Sequence, residues 1–529
     1  MITYTPSNQL TLEGFTHPFD QALSPENRWV KLSRIIPWDS LAEVYAQSLS
    51  STSGRQSIDI RMVIGALIVK HKLGLDDRGT VAMISENIYL QYFCGLGSFQ
   101  TQLPFHPTVF VDIRKRMGAS RFDHWNALVI AKADGLKPKS KQTITKQTKE
   151  DLPPKPKGTL KIDATIADQK IVYPTDVGLL NRAREETERM IDILYKLSSV
   201  AKKPRDYRRV ARKSYLSFSK KRNKPKQQLR KQIRQQLNYV KRNLGYIEEL
   251  LDTIAFQRAS EDLPGTFMGL KDPFPERWPL SDRDQKLYWV IQHLYEQQKY
   301  MHEQRVNTVS DRIVNLYQPY VRPMPRGKDK SKTEFGAKIS ASEVDGMSRV
   351  EHISWDSFNE SVDVELQAKN FLQTYGHYPE LLLADQIYLN RKNRKWLNEK
   401  GIRIVGKPLG RPKKQELSAY QKRKRKKEQN QRNHIEGKFG QGKNAYGLAN
   451  IQAKRSDTSQ SWIACIFFVM NLVSLGKIAE KYAIFCAFLK KWLDESLGWS
   501  EKLYNQPKPS AVYPIYCSVT YSKNYKGIL

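Results

Sequence analysis

Along the first 133 residues, apolar side chains recur at helical spacing in several short runs. "WDSLAEVYAQSL" (38–49) and "SIDIRMVIGALIVKHKLGL" (57–75) place apolar residues three and four apart, and "DDRGTVAMISENIYLQYFCGL" (76–96) follows with aspartates suited to a helix start. "HPTVFVDIRKRMG" (106–118) opens with His-Pro-Thr and ends in Arg114, Lys115 and Arg116. Residues 1–133 are therefore expected to form an all-helical domain. It is either a helix-turn-helix reader whose late helix offers those three bases to DNA, or a bundle for packing or dimerisation. At 134–158 the apolar pattern lapses into Lys- and Pro-rich sequence, which predicts a linker.

From 159 the period shortens. "TLKIDATIADQKIVYPTD" (159–176) alternates and predicts two short strands around a turn, and strand texture returns in "TEFGAKISASEVDGMSRVEHISWD" (333–356). A helical segment (360–376), the apolar run "PELLLAD" (379–385), a helix (391–401) and the strand "IRIVGKP" (402–408) complete the alternation. Strands alternating with helices imply an α/β fold, a mixed sheet with helices packed on it. This core is expected at 159–176 and 328–455.

The two strand regions are separated by a helical insertion, 177–327. Leu229, Ile233, Leu237, Val240, Leu244, Ile247, Leu251 and Ile254 are spaced like a coiled-coil stripe. With a helix before it (180–200) and another after (284–317), a hairpin of long helices is predicted. Near the C-terminus (456–529), "WIACIFFVMNLVSL" (462–475) is too short for a bilayer span and holds Asn471, so it predicts a buried helix.

Charge then changes the picture. The 529 residues are 40% hydrophobic, as in a globular protein, yet carry a net charge of +34. Such an excess points to a polyanionic partner, nucleic acid before an anionic membrane. Residues 202–242 hold 17 Lys or Arg against one acid, Asp206. A merely solvated helix face would mix acids in, so this run, including Lys220, Lys221 and Arg222, is expected to contact nucleic acid. Tyr207, Tyr215, Phe218 and Tyr239 within it suit stacking on bases or packing on a partner helix. The cysteines, Cys94, Cys465, Cys486 and Cys517, show no metal-binding pair, and no signal-peptide pattern opens the chain. A reducing, cytoplasmic and nucleoid-associated setting is expected.

Three acids stand where a side chain faces a cleft: Asp163 by a strand, Asp385 closing an apolar strand, and Glu436 on a predicted helix. That helix belongs to "KRKRKKEQNQRNHIEGKFGQGK" (422–443), which opens with six bases, Lys422, Arg423 and Lys424 first among them. Arg432, Glu436 and Lys443, offset by four and seven residues, fall within roughly 40° of one another around a helix. Carboxylates in a basic cleft suit hard divalent cations, and two such ions clamp the oxygens of an in-line phosphoryl transfer. Singly, each acid is equally a turn, cap or surface-pair residue.

The chain resembles the DDE transposases of bacterial insertion sequences, in particular the group with a Tyr-x2-Arg-x3-Glu-x6-Lys signature. Arg432, Glu436 and Lys443 fill its last three places, and Gln429 stands where the Tyr is expected. Further blocks resembling that group run in order along the chain, among them 28–45, 59–96, 161–176, 335–346, 378–397, "GRPKK" (410–414) and 446–475. The resemblance implies an RNase H-like core, Asp163, Asp385 and Glu436 as the metal-binding triad, and Mg²⁺ or Mn²⁺ as cofactor, two ions in number. It implies double-stranded DNA as partner, both terminal inverted repeats and target, and a homodimer in the active complex. Competing expectations are a catalytically silent, DNA-binding relative, a structure-selective nuclease on the same fold, and an RNA- or ribosome-associated basic protein.

Overall fold

A computed structural model describes residues 2–6, 22–50, 56–136, 155–262, 278–328, 331–406 and 418–504. Most of the expected linker, the block at 410–414, Cys486 and Cys517 lie outside what can be described.

The N-terminal region is helical, as the spacing predicts: α1 (Arg28–Ile35), α2 (Trp38–Ala46), α3 (Ile60–Leu73), α4 (Asp77–Glu86), α5 (Ile88–Phe93) and α6 (Val109–Gly135). Asp59, Asp76 and Asn87 cap α3, α4 and α5 by accepting from first-turn amides. Helix α6 bends at Gly118, whose φ of 58° is left-handed. Nearly all of α3 is buried, polar Arg61, Lys70 and His71 included.

The sheet begins with β1 (Thr159–Asp168), which is one ten-residue strand and not the two short ones expected. Then come β2 (Arg322–Lys328), β3 (Ser331–Val344), β4 (Met347–Ser354), β5 (Leu381–Leu383) and β6 (Arg403–Val405). Strand order is β2-β3-β1-β5-β6, with β4 also on β3. β3 pairs antiparallel with β1, β2 and β4, and β5 and β6 continue from β1 in parallel. Gly336 is needed where β3 crosses β1, since a Cβ there would sit 1.9 Å from the Ala167 carbonyl oxygen. Asp345 and Gly346, both at positive φ, make the tight β3–β4 hairpin.

Helix α11 (Val364–Tyr375) covers one face of the sheet. Leu160, Ile162 and Leu382 meet Val364, Ala368 and Phe371 in its core. Alternation along β1 sends Asp163 to the other face, where α13 (Ala419–Ala445) lies. The small helix α12 (Arg391–Glu399) precedes β6.

The insertion comprises α7 (Asp176–Leu197), α8 (Arg208–Ser219), α9 (Lys226–Asp262) and α10 (Asp282–Gln304). Its core is the predicted stripe: Leu237, Val240, Leu244, Ile247, Leu251 and Ile254 of α9 against Leu180, Ile191 and Leu194 of α7 and Leu287 and Ile291 of α10.

Helix α14 (Ser456–Tyr504) contains the predicted buried run. Ser456–Tyr482 is long and apolar enough to cross a membrane, but most of it lies inside the protein. The chain divides into two compact units, Met1–Gly476 and Lys477–Leu529. Within the first, Trp462 and Phe468 of α14 pack on the N-terminal helices. Trp462 meets His71 edge-on, and Phe468 lies 5.1 Å from Trp125. Asn471 donates to Asn126 of α6 at 2.7 Å and to the Ser348 carbonyl of β4 at 2.6 Å, a buried polar joint of three elements.

Candidate active site

Parallel pairing of β1 with β5 sets two of the acids. Lys161 pairs with Leu383, so the next residue on the same face of each strand, Asp163 or Asp385, lies at the sheet's C-terminal edge. Asp385 stands at the N-cap position of the short 3-10 turn Gln386–Tyr388 that follows β5, with no side-chain capping bond. Helix α13 starts at Ser418, where a reciprocal pair of contacts with Gln421 forms a capping box. It docks first through Glu428, whose carboxylate accepts from Arg403 of edge strand β6 at 2.7 and 3.0 Å. One turn on, Arg432 reaches over β5 and β1.

Arg432 is the centre of the site. Its Nη2 donates to Glu436 Oε1 at 2.7 Å. Its Nη1 lies 2.8 Å from Asp385 Oδ1 and 3.9 Å from Asp163 Oδ2. That nitrogen is buried and meets no acceptor in hydrogen-bond geometry. Asp163, Asp385 and Glu436, drawn from a strand, a strand end and a helix, thus converge on one guanidinium. Arg432, expected on the same helix face as Glu436, is here the cation that the three acids share. Three carboxylates in one cleft repel, and the arginine one turn from Glu436 is the cation at hand.

Asp163 is the most buried of the three. Burial pushes its carboxyl up to about 6, with the charges of Asp385 and Glu360 adding to the rise and the Ala164 amide and Arg432 opposing it. Glu360, in the 3-10 turn Glu360–Asp363, pairs with Lys338 of β3 at 2.9 Å. Its influence on Asp163 was not foreseen, because in the sequence it reads only as an acid at a helix start. Among the described residues no group of three or more His, Cys, Asp or Glu is already set to hold a metal ion. The three acids stand around a side-chain cation.

Lys443 stands apart from the three acids. It shares a helix face with Glu436, but its Nζ lies 3.7 Å from both Asp168 of β1 and Glu334 of β3. Eleven residues beyond Arg432, it is about 16 Å further along the helix axis. Of the glycines of α13, Gly442 has a packing reason: a Cβ would crowd Leu448 and Met470.

Arg114 is not available to DNA. It is buried, clamps Asp77 through two hydrogen bonds of 2.9 and 2.7 Å, and lies 5.0 Å over Trp462. Lys115 and Arg116 beside it are exposed, as are Lys220, Lys221, Arg222, Lys422, Arg423 and Lys424. Arg209, Arg212, Lys213 and Lys220 line a shallow groove on the outer face of α8. Of the aromatic residues in the run, Phe218 is buried and Tyr207 is stacked by Arg205 and Arg242.

Two family models match the chain. A transposase DDE domain matches residues 382–473, which include Asp385 and Glu436, and a transposase domain of the DUF772 type matches residues 17–116. Asp163 and the insertion lie outside both. The chain is 27% identical over 169 residues to the uncharacterized protein ORF8 in the nfe locus of Rhizobium meliloti, covering 32% of this chain and 75% of that protein. No solved structure gives a significant match. Two transposase domains matched in chain order, the second carrying two of the three converging acids, support a DDE transposase of an insertion sequence.

Proposed function

We propose that the protein cleaves the ends of an insertion sequence and joins them to target DNA, using Asp163, Asp385 and Glu436 to hold divalent metal ions. The observation that carries this is the single guanidinium in reach of all three acids, which places them in one cleft beside a basic helix. The strand order supports an RNase H-like core, with antiparallel β4, β3 and β1 extended by parallel β5 and β6, β2 added beside β3, and the acids at β1, after β5 and on the helix that follows.

The donors fit the ions. All three ligands are carboxylates, as hard cations prefer, and Asp163 keeps an incompletely compensated charge even with Arg432 at hand. Mg²⁺ or Mn²⁺, when bound, supplies Lewis-acid stabilisation of the attacking and leaving oxygens. Asp163 is held rigidly by β1 and its Ala164 amide contact at 2.8 Å. Arg432 offsets the charge of the three acids and would turn to a phosphate. Exposed Lys115, Arg116, Lys220, Lys221, Arg222 and the Lys422–Lys427 run bind the duplex. Two element ends call for at least two protomers.

The test is nicking and joining of a plasmid that carries the gene with its natural flanks, at added Mg²⁺ or Mn²⁺. Asp163→Asn is expected to remove nicking and leave duplex binding intact. Asp163→Asn nicking at the wild-type rate would overturn the assignment. Stability gives a second readout. The folded state keeps a proton on Asp163 that the unfolded chain gives up, so stability falls as pH rises from about 4 to about 6 and stays lowered above. Metal-free Asp163→Asn is therefore expected to be more stable at pH 7.5 by about 3 kcal/mol, with the gain vanishing below about pH 4.

A further inference from the structure

The start of α13 stands off the sheet among the described residues. From Ala419 to Lys427 every residue is exposed, and the helix docks on the sheet only from Glu428 onward, at edge strand β6. Two turns of helix therefore overhang the edge of the sheet. Their last six residues, Lys422–Lys427, are all basic and pass more than once around the helix axis.

Such a segment is a poor helix by itself. Lys422 and Lys426, and Arg423 and Lys427, are like charges at i,i+4, and bases near a helix start oppose the macrodipole. The capping box of Ser418 and Gln421 holds the start in place against that repulsion. Charge on every side cannot be met by one acidic patch of a folded protein. A duplex backbone, with phosphates spread along and around a groove, meets it.

We infer that the overhanging turns of α13 are a DNA grip rigidly joined to the cleavage site, gripping the duplex on one side of the scissile phosphate only. The inference rests on the reading of the triad given above. It adds a register. Lys427 and Lys422 precede Glu436 by nine and fourteen residues on one continuous helix. That sets them about 13–21 Å from it along the axis. For a helix lying along the duplex, the reach of a long side chain and 3.4 Å per base pair put their phosphates about four to eight base pairs from the cut. Because Arg403 and Glu428 clamp the helix between the grip and the triad, the spacing is fixed by the fold.

The experiment compares the full-length protein with a variant in which Lys422–Lys427 are all replaced by glutamine, which keeps helix propensity. On a random-sequence duplex, the log–log salt slope of binding is expected to fall by about two to three, one unit for each phosphate released. An unchanged slope overturns the grip, whether or not the protein cuts. On a duplex spanning the gene and its flank, ethylation interference is expected four to eight base pairs to one side of the nick, and to be lost in the variant. Interference that persists there, or lies only elsewhere, overturns the register. A wild-type protein that binds with the expected slope difference but never nicks would count against the triad reading and leave the grip standing. Should the sixfold variant misfold, hydrogen exchange of residues 419–427 in the wild type decides: slower exchange with random duplex supports the grip, and no slowing overturns it.

Discussion

The N-terminal region and the insertion are both helical, yet they put their bases to opposite uses: acids nearly match bases in the first, and bases far outnumber acids over 202–242 of the second. In the N-terminal region Lys70 and Arg114 are buried, share Asp77 at 2.9 and 2.7 Å, and lie over Trp462. In the insertion, Lys203 and Arg208 are taken up by Asp192 and Asp206, while the bases lining α8 face outward in a row. The difference is the partner. A base with a carboxylate and an aromatic face at hand can be folded in, whereas a run with seventeen bases to one acid leaves most of them to solvent or to phosphate.

The sharpest way to break this contrast is Arg114→Ala. It leaves Asp77 with Lys70 alone in a largely buried setting, and should lower the unfolding free energy by about 2–3 kcal/mol in a denaturant titration. DNA affinity of the folded fraction should not change. Burial pushes the Asp77 carboxyl up, but Arg114 and Lys70 outweigh it and hold the group below its ordinary value. Its contribution is therefore present above about pH 4 and is lost as pH falls through the folded value, and Arg114→Ala should flatten that acid limb.

A smaller effect on the fold and a larger one on binding is expected for Arg209, Arg212, Lys213 and Lys220 changed together to glutamine. Stability should stay within about 0.5 kcal/mol. The salt slope of duplex binding should fall by as much as three or four. A destabilised protein with an unchanged slope would place α8 with the N-terminal helices, as a packing element. Smallest is the expected change for Lys115→Gln with Arg116→Gln. These flank a buried arginine, so the pair should take at most about two units off the slope and leave the preference for element ends over scrambled DNA intact. Loss of that preference would show that the region reads sequence after all.

How much was legible in the sequence follows the same division. Periodicity identified the stripe from Leu237 to Ile254, the helices at 38–49 and 57–75, and the strand ending at Asp385, because each buries a regular face. It split β1 in two, since nothing in "TLKIDATIADQ" says that the strand must continue to pair with β3. Spacing placed Arg432 and Glu436 on one face, and the structure joins them to Asp163 and Asp385 through one side chain. Spacing does not measure depth along a helix: Lys443 shares a face with Glu436, yet it lies further along the axis, between Asp168 and Glu334. Arg114 was misread because its partners, Asp77 and Trp462, are remote in sequence.

The joint of Asn126, Asn471 and Ser348 also sets a schedule. Asn471 is made 345 residues after the asparagine that it must meet, and Ser461 is made 347 residues after the Arg114 carbonyl to which it donates. At about 5–20 residues per second, the ribosome presents α3 and α6 roughly 20–70 s before their cover exists. During that interval Phe122 and Trp125 have no Phe468 to pack on, and the buried charges around Asp77 have no Trp462. A nascent chain cut short anywhere before α14 therefore leaves a sticky, half-built bundle for chaperones and proteases, and only the chain completed through the last core helix is spared.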